Sequence, residues 1–297
     1  MEMRPTMYLF NHKMIRWGAF IFLLFYVAAV VVSPVTFAEQ TAQAAREAES
    51  SEDVAALAKK TQNPVSDLIS LPFQYNLNFG AGPNDDRIQD ILNIQPVVPI
   101  GITKDWNLIV RTIVPLIWQP EIQKESGHTF GLGDINPTFF LSPKNSGKVT
   151  WGAGPTMIFP TATDGKLGSR KWNLGPSLVV LTMPRHWVIG ALVSQSWSLG
   201  GDDDRRDTAP FLLQYFVNYN FPRGWYFTSS PIITADWKAA DNDNWTVPIG
   251  GGFGKIFRIW KLPVNAQVQA FYNVTRPELG PDWSLRFQLQ FLFPKGK

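Results

Sequence analysis

Cysteine is absent from all 297 residues. That excludes disulfide frameworks, thiolate metal sites and cysteine nucleophiles together. Histidine is scarce: three residues, His12, His128 and His186, none inside a strand-like stretch. A serine hydrolase would lack its base. Charge of one sign is also lacking, since the formal net value is only +3. Much of that excess sits in the first 38 residues (Arg4, Lys13 and Arg16 against Glu2), and the near-neutral remainder argues against nucleic acid. Beyond residue 32 no apolar run reaches helix-spanning length. The nearest, residues 176–193, is broken by Pro184, Arg185 and His186. Any later membrane crossing must be made by strands.

What is abundant points the same way. Twenty-one Phe, 12 Trp, 23 Gly and 23 Pro suit many short strands joined by turns. Residues 1–38 have the layout of an export signal: basic residues, an apolar run over 17–32, then small Thr36 and Ala38 before a cleavage point. Residues 39–64 are rich in Ala, Glu and Gln and contain no aromatics. They suggest a polar periplasmic tail or a short helix within 51–60, ended by Pro64.

From residue 65 to 297 the dominant pattern is period two. In WSLRFQLQFLF (283–293) the large apolar residues share one parity and Ser284, Arg286, Gln288 and Gln290 the other. Such alternation is a strand with two different faces. Twelve candidate strands can be counted, an even number, as single-chain outer-membrane barrels have. Short connections (GITKD, PKNSGK, PRH, PRG, with a longer KIFRIWKLP) alternate with longer polar ones, from GAGPNDDR to TRPELGPD. Short turns at one end and long loops at the other fit an all-β, closed up-and-down antiparallel transmembrane β-barrel, apolar side to lipid. The polar parity then lines the lumen: Gln74, Asn76, Asn78, Asn93, Gln95, Arg111, Asn136, Gln214, Asn218, Gln267, Gln269, Arg286, Gln288 and Gln290. Trp106, Trp187 and Trp225 follow short turns, while Trp118, Trp172, Trp197, Trp245 and Trp283 adjoin long loops. Together they form two candidate interface girdles.

Other motifs fail their chemistry. GGGFGK (250–255) has Ile where a phosphate loop needs Gly and again where it needs Ser or Thr. Glycine inside a strand marks a bend or a close approach. DDDRRD (202–207) and DNDN (241–244) are charge runs of solvated loops, without calcium-loop spacing. No cofactor and no metal are expected.

GLGDINPTFFLSP, WGAGPTMIFPTAT, LGSRKWNLGPS and the aromatic last strand resemble the outer-membrane family known as the MetA-pathway of phenol degradation, from about Asn63 onward. The resemblance implies an outer-membrane barrel moving small compounds, aromatic ones among the candidates, and supplies no catalytic or ligand residues. Expected partners are outer-membrane lipid and lipopolysaccharide, the barrel-assembly machinery and a small solute. Two readings stay open for the interior: a channel, open, gated or plugged by DLISLP before Phe73 or by the 51–60 helix, or a lumen filled by side chains bonded across it. The corresponding functions are transport and a non-transporting structural or surface-interaction barrel. A barrel lipase, the architecture of outer-membrane phospholipase A, is the third, and an autotransporter is disfavoured because 39–64 is too short for a passenger.

Overall fold

The computed structural model describes residues 54–121, 127–240 and 243–293. The export signal and residues 39–53 lie outside them. Sixteen strands form one sheet. They are β1 (Ile69–Ala81), β2 (Arg87–Ile94), β3 (Val97–Gly101), β4 (Trp106–Gln119), β5 (Thr129–Leu132), β6 (Asn136–Pro143), β7 (Val149–Ile158) and β8 (Lys171–Thr182). The chain continues through β9 (Trp187–Gln195), β10 (Trp197–Gly201), β11 (Pro210–Asn220), β12 (Trp225–Ser229), β13 (Ile232–Asp236), β14 (Trp245–Ile259), β15 (Leu262–Thr275) and β16 (Trp283–Phe293). Four staves are each split in two: β2 with β3, β5 with β6, β9 with β10, and β12 with β13. The wall therefore has twelve staves. Pro96 and Pro231 stand at two of the breaks, where a residue without N–H cannot continue the ladder.

The sheet closes on itself. β1 pairs antiparallel with β16 from Ile69 opposite Phe293 to Phe79 opposite Trp283. The far side of the ring closes through β8 with β9 and β9 with β11. Closure joins the first and last strands, so the backbone polar groups of the wall are paired largely within the sheet.

Sidedness is inverted relative to a soluble sandwich. On β16, Arg286 and Gln290 are each 7% exposed, whereas Trp283 and Phe293 are 41% and 42% exposed. Leu174, Leu178 and Val180 on β8, and Phe227 and Phe253 on β12 and β14, are also exposed. Asn173, Ser177, Asn218, Thr228, Asn265 and Gln269 are buried on the inner parity. An apolar outside and a polar inside are what hydrocarbon selects.

The loop sorting is mostly as the sequence indicates, with two corrections. KIFRIWKLP is not a longer loop: β14 runs to Ile259, β15 starts at Leu262, and the two-residue turn Trp260–Lys261 is the shortest in the barrel. Trp260 takes a left-handed φ of 54° there. GAGPNDDR is shortened at both ends, Gly80, Ala81 and Arg87 belonging to strands, which leaves residues 82–86 as a loop no longer than the 144–148 turn. The other long-side connections are those between β4 and β5 and between β13 and β14, and the loops 159–170, 202–209 and 276–282.

Candidate functional site

The interior is best built upward from the short-turn end. Before β1 the chain forms a helix over residues 54–61, and Thr61 closes it with a bond from Oγ1 to the Leu57 carbonyl (2.8 Å). This helix lies inside the barrel. Ala58 is buried against Tyr226 and Ile256, both on the inner parity, with Leu57 alongside. Lys59 Nζ donates to the Met183 carbonyl (3.3 Å). Gln62 and Asn220 exchange amide bonds of 2.9 and 3.1 Å. Asn63 Oδ1 accepts from Val65 N (3.0 Å) across Pro64, a local turn that redirects the chain. Val65 then enters an apolar cluster with Ile109, Phe140, Val179, Leu181, Val188, Leu192 and Phe216, all projecting inward. The segment thus crosses from the β12/β14 wall to the β6–β9 wall before turning into β1. A cavity of about 50 Å³ lies beside it, bounded by Lys60, Asn63, Ser66, Ser70, Val97 and Gln290, among others.

The middle of the lumen is polar. Arg286 Nε donates to Asn76 Oδ1 and its Nη1 to the Ser230 carbonyl, both at 2.9 Å. Its guanidinium lies 4.7 Å from the Phe271 ring centre. Arg111 Nη2 donates to Gln95 Oε1 (2.9 Å). Neither arginine has an acidic partner within 4.0 Å among the described residues. Tyr226 OH donates to Asn265 Oδ1 (2.6 Å), and Asn265 Nδ2 to Gln290 Oε1 (3.1 Å). Tyr226 reaches across β14 because Gly254 lies beneath its ring: a Cβ at that position would sit 2.1 Å from Tyr226 Cζ. The glycine run dismissed as a phosphate loop is therefore a close-approach site in the wall.

The long-loop end is also drawn inward. Loop 159–170 folds over Gly131 and Gly133, which face the interior, and buries Leu167 to 5% exposure. Asp134 holds it, accepting from Ala162 N (3.2 Å), Ser169 N (2.7 Å) and Ser169 Oγ (3.0 Å). Arg205, from the next loop, donates to the Gly165 and Gly168 carbonyls. Arg170 pairs with Asp202 (3.1 Å), and Lys171 with Asp207 (3.3 Å). The hydrogen bond from Arg170 holds the Asp202 carboxyl below the usual carboxylate range, and those from Lys171 and Ser198 do the same for Asp207.

Of the residues expected to line the lumen, Gln74, Asn76, Gln95, Asn218, Gln269, Arg286 and Gln290 are buried; Asn78, Asn93, Arg111, Asn136, Gln214, Gln267 and Gln288 are half-buried. Among the expected girdle residues, Trp118, Trp172, Trp187, Trp197, Trp225 and Trp283 are exposed, and Trp106 and Trp245 half-buried. Trp151, Trp237 and Trp260 are also exposed at the strand ends, and the sequence reading passed over them. The 51–60 helix, one of the two plugs expected from sequence, contains Ala58; Val65, Asp134, Leu167 and Tyr226 were not singled out. Tyr226 was detectable in principle, because it sits on the parity opposite Trp225 and Phe227. His186 directs its ring toward Tyr219, centroids 6.0 Å apart.

A family model described as "Putative MetA-pathway of phenol degradation" matches residues 86–297. No curated protein matches. Among solved structures, the COG4313 outer membrane channel from Pseudomonas putida F1 superposes with a TM-score of 0.58 at 16% identity, covering 76% of this chain and 94% of that one. Outer membrane phospholipase A from Escherichia coli aligns over 77% of this chain and 93% of its own, with a TM-score of 0.37 and 12% identity. At these identities the likeness to the channel bears on the fold, and that to the phospholipase carries no argument.

Proposed function

Because this chain belongs to the MetA-pathway of phenol degradation family, whose model takes in residues 86–297, we propose that it is an outer-membrane channel for small molecules, closed at rest. Export by the N-terminal signal and assembly into the outer membrane belong to this reading, with the short turns toward the periplasm. The observation that carries it is the segment 54–68, which fills the short-turn half while the barrel wall encloses a polar middle. The segment is held by a few hydrogen bonds and two small apolar clusters. So thin a contact set places it among the parts of a protein that open locally. With the segment withdrawn, Ile109, Phe140, Val179 and Phe216 would line an apolar path below the amide-rich middle. That combination suits small aromatic or hydrophobic solutes bearing a polar group.

The occupied interior also favours a second reading, a barrel that transports nothing and works through its loops. Planar-bilayer conductance and liposome swelling separate the two. A channel shows low basal flux that rises when residues 54–68 are displaced. A barrel with no flux in either state is not a channel. Lipase activity has no support in the placement of His186, whose ring faces Tyr219.

A further inference from the structure

The two ends of the barrel carry opposite charge. The six long-side loops hold thirteen acidic and seven basic residues, whereas the five short turns hold six basic residues and a single acid, Asp105. The pairing differs as well. Arg170, Lys171, Arg206 and Arg276 at the long-loop end are engaged with Asp202, Asp207, Asp236, and Asp85 and Asp282. At the other end Lys104, Lys144, Lys148, Arg185, Arg223, Lys255, Arg258 and Lys261 make no ion pair among the described residues.

Four of these eight cations belong to the turn before β12 and the β14–β15 hairpin. Trp225 and Lys255 are directly opposite on the outer face, with Lys255 Nζ 4.9 Å from the centre of the indole ring. Arg223 and Trp225 flank Gly224, whose Cα packs beside the Ile256 carbonyl. At the hairpin tip Trp260 is 96% exposed in a left-handed conformation that bulky residues rarely adopt. Its ring makes no aromatic contact among the described residues. An indole this exposed, beside unneutralised cations at the rim of an apolar wall, matches a phospholipid headgroup layer. Interfacial indole rings favour the ester region, and basic side chains beside them reach lipid phosphate.

We propose that Arg223, Trp225, Lys255, Trp260 and Lys261 form a site for anionic phospholipid headgroups of the leaflet that borders the short turns. The site retains phosphatidylglycerol-type lipid in preference to zwitterionic lipid. It rests on the membrane-embedded barrel and not on solute passage, so a failed conductance experiment leaves it standing.

The test is native mass spectrometry of the full, detergent-folded protein with equimolar phosphatidylglycerol and phosphatidylethanolamine. Variants are first checked for folding by heat-modifiability. The wild type should retain phosphatidylglycerol in clear excess. Lys255→Gln or Lys261→Gln should each lower that preference about fivefold, the effect of one cation near an anionic surface. The double change Lys255→Gln, Lys261→Gln should bring it close to parity; if the double variant does not fold, the single ones decide. Lys238→Gln, at the opposite end, should leave it unchanged. Equal retention by the wild type, a preference that survives the substitutions, or an equal loss in Lys238→Gln would each overturn the assignment.

Discussion

Arg286 and Arg111 are cations in a lumen whose other polar groups are mostly amides and hydroxyls. Charges in a narrow, weakly solvated space act strongly on passing ions, because the local dielectric is low. Any residual conductance should therefore prefer anions, and Arg286→Gln should shift the reversal potential toward zero under a salt gradient. An unchanged reversal potential would place Arg286 outside the ion path. Tyr226 and Gly254 make a second residue-scale pair. Gly254→Val inserts side-chain atoms where the Tyr226 ring lies, at a distance no relaxed contact allows. It should destabilise the barrel by roughly 1–3 kcal/mol, the usual result of overpacking. Tyr226→Phe keeps the ring and loses the hydroxyl's contacts with Asn265 and Gln267, so it should cost about 1 kcal/mol. Reversible urea unfolding into lipid vesicles measures both.

Among the elements, the segment 54–68 and the loop 159–170 are the movable parts, one at each end. Val65 is 5% exposed among aliphatic and aromatic side chains. Val65→Asp would place a carboxylate there without a partner, at a cost of several kcal/mol, more than so lightly held a segment can sustain. The expected outcome is a folded barrel with higher conductance and greater protease sensitivity before residue 69. The loops at the other end depend on pH. Asp202 and Asp207 have depressed pKa values in the folded protein, so their ion pairs contribute fully above the unfolded carboxylate value of about 3.9. That contribution is lost as pH falls through the lower folded values. Limited proteolysis of loops 159–170 and 202–209 should be slow at neutral pH and accelerate only below that range. Acceleration beginning near neutrality would mean that other groups hold the loops.

At the scale of the whole molecule the decisive feature is closure of β1 on β16. A cysteine-free chain makes a direct test simple. Leu77 and Leu285 are opposite one another on the outer face, and antiparallel partners lie at Cα separations of about 4.5–5.5 Å, within disulfide range. The double change Leu77→Cys, Leu285→Cys should cross-link in the folded protein. Its oxidised form should then keep a compact mobility even after boiling in detergent. A pair that stays reduced, with each thiol separately reactive, would contradict the closed ring. Barrel size sets what the interior can do: twelve staves leave a space too wide for wall side chains alone and too narrow to remain an open pore once a helix is inside.

The alternation in residues such as 283–293 determined the strands, their two faces and the stave count, because side-chain direction follows parity in any strand. Loop lengths fixed which end is which, apart from KIFRIWKLP. There, paired strands continue to Ile259 and resume at Leu262, something only cross-strand register reveals. The interior was legible only as a parity. The sequence leaves Ala58 in a polar segment and Val65 beside a proline, and nothing local shows that they meet Tyr226, Ile256 and Phe140 from distant staves. Asp134 is an ordinary strand-edge aspartate until loop 159–170 comes back over it. Strand pattern is local and repeats every two residues, so the chain states it directly. What fills a barrel depends on which side chains closure brings face to face, and only the tertiary structure decides that.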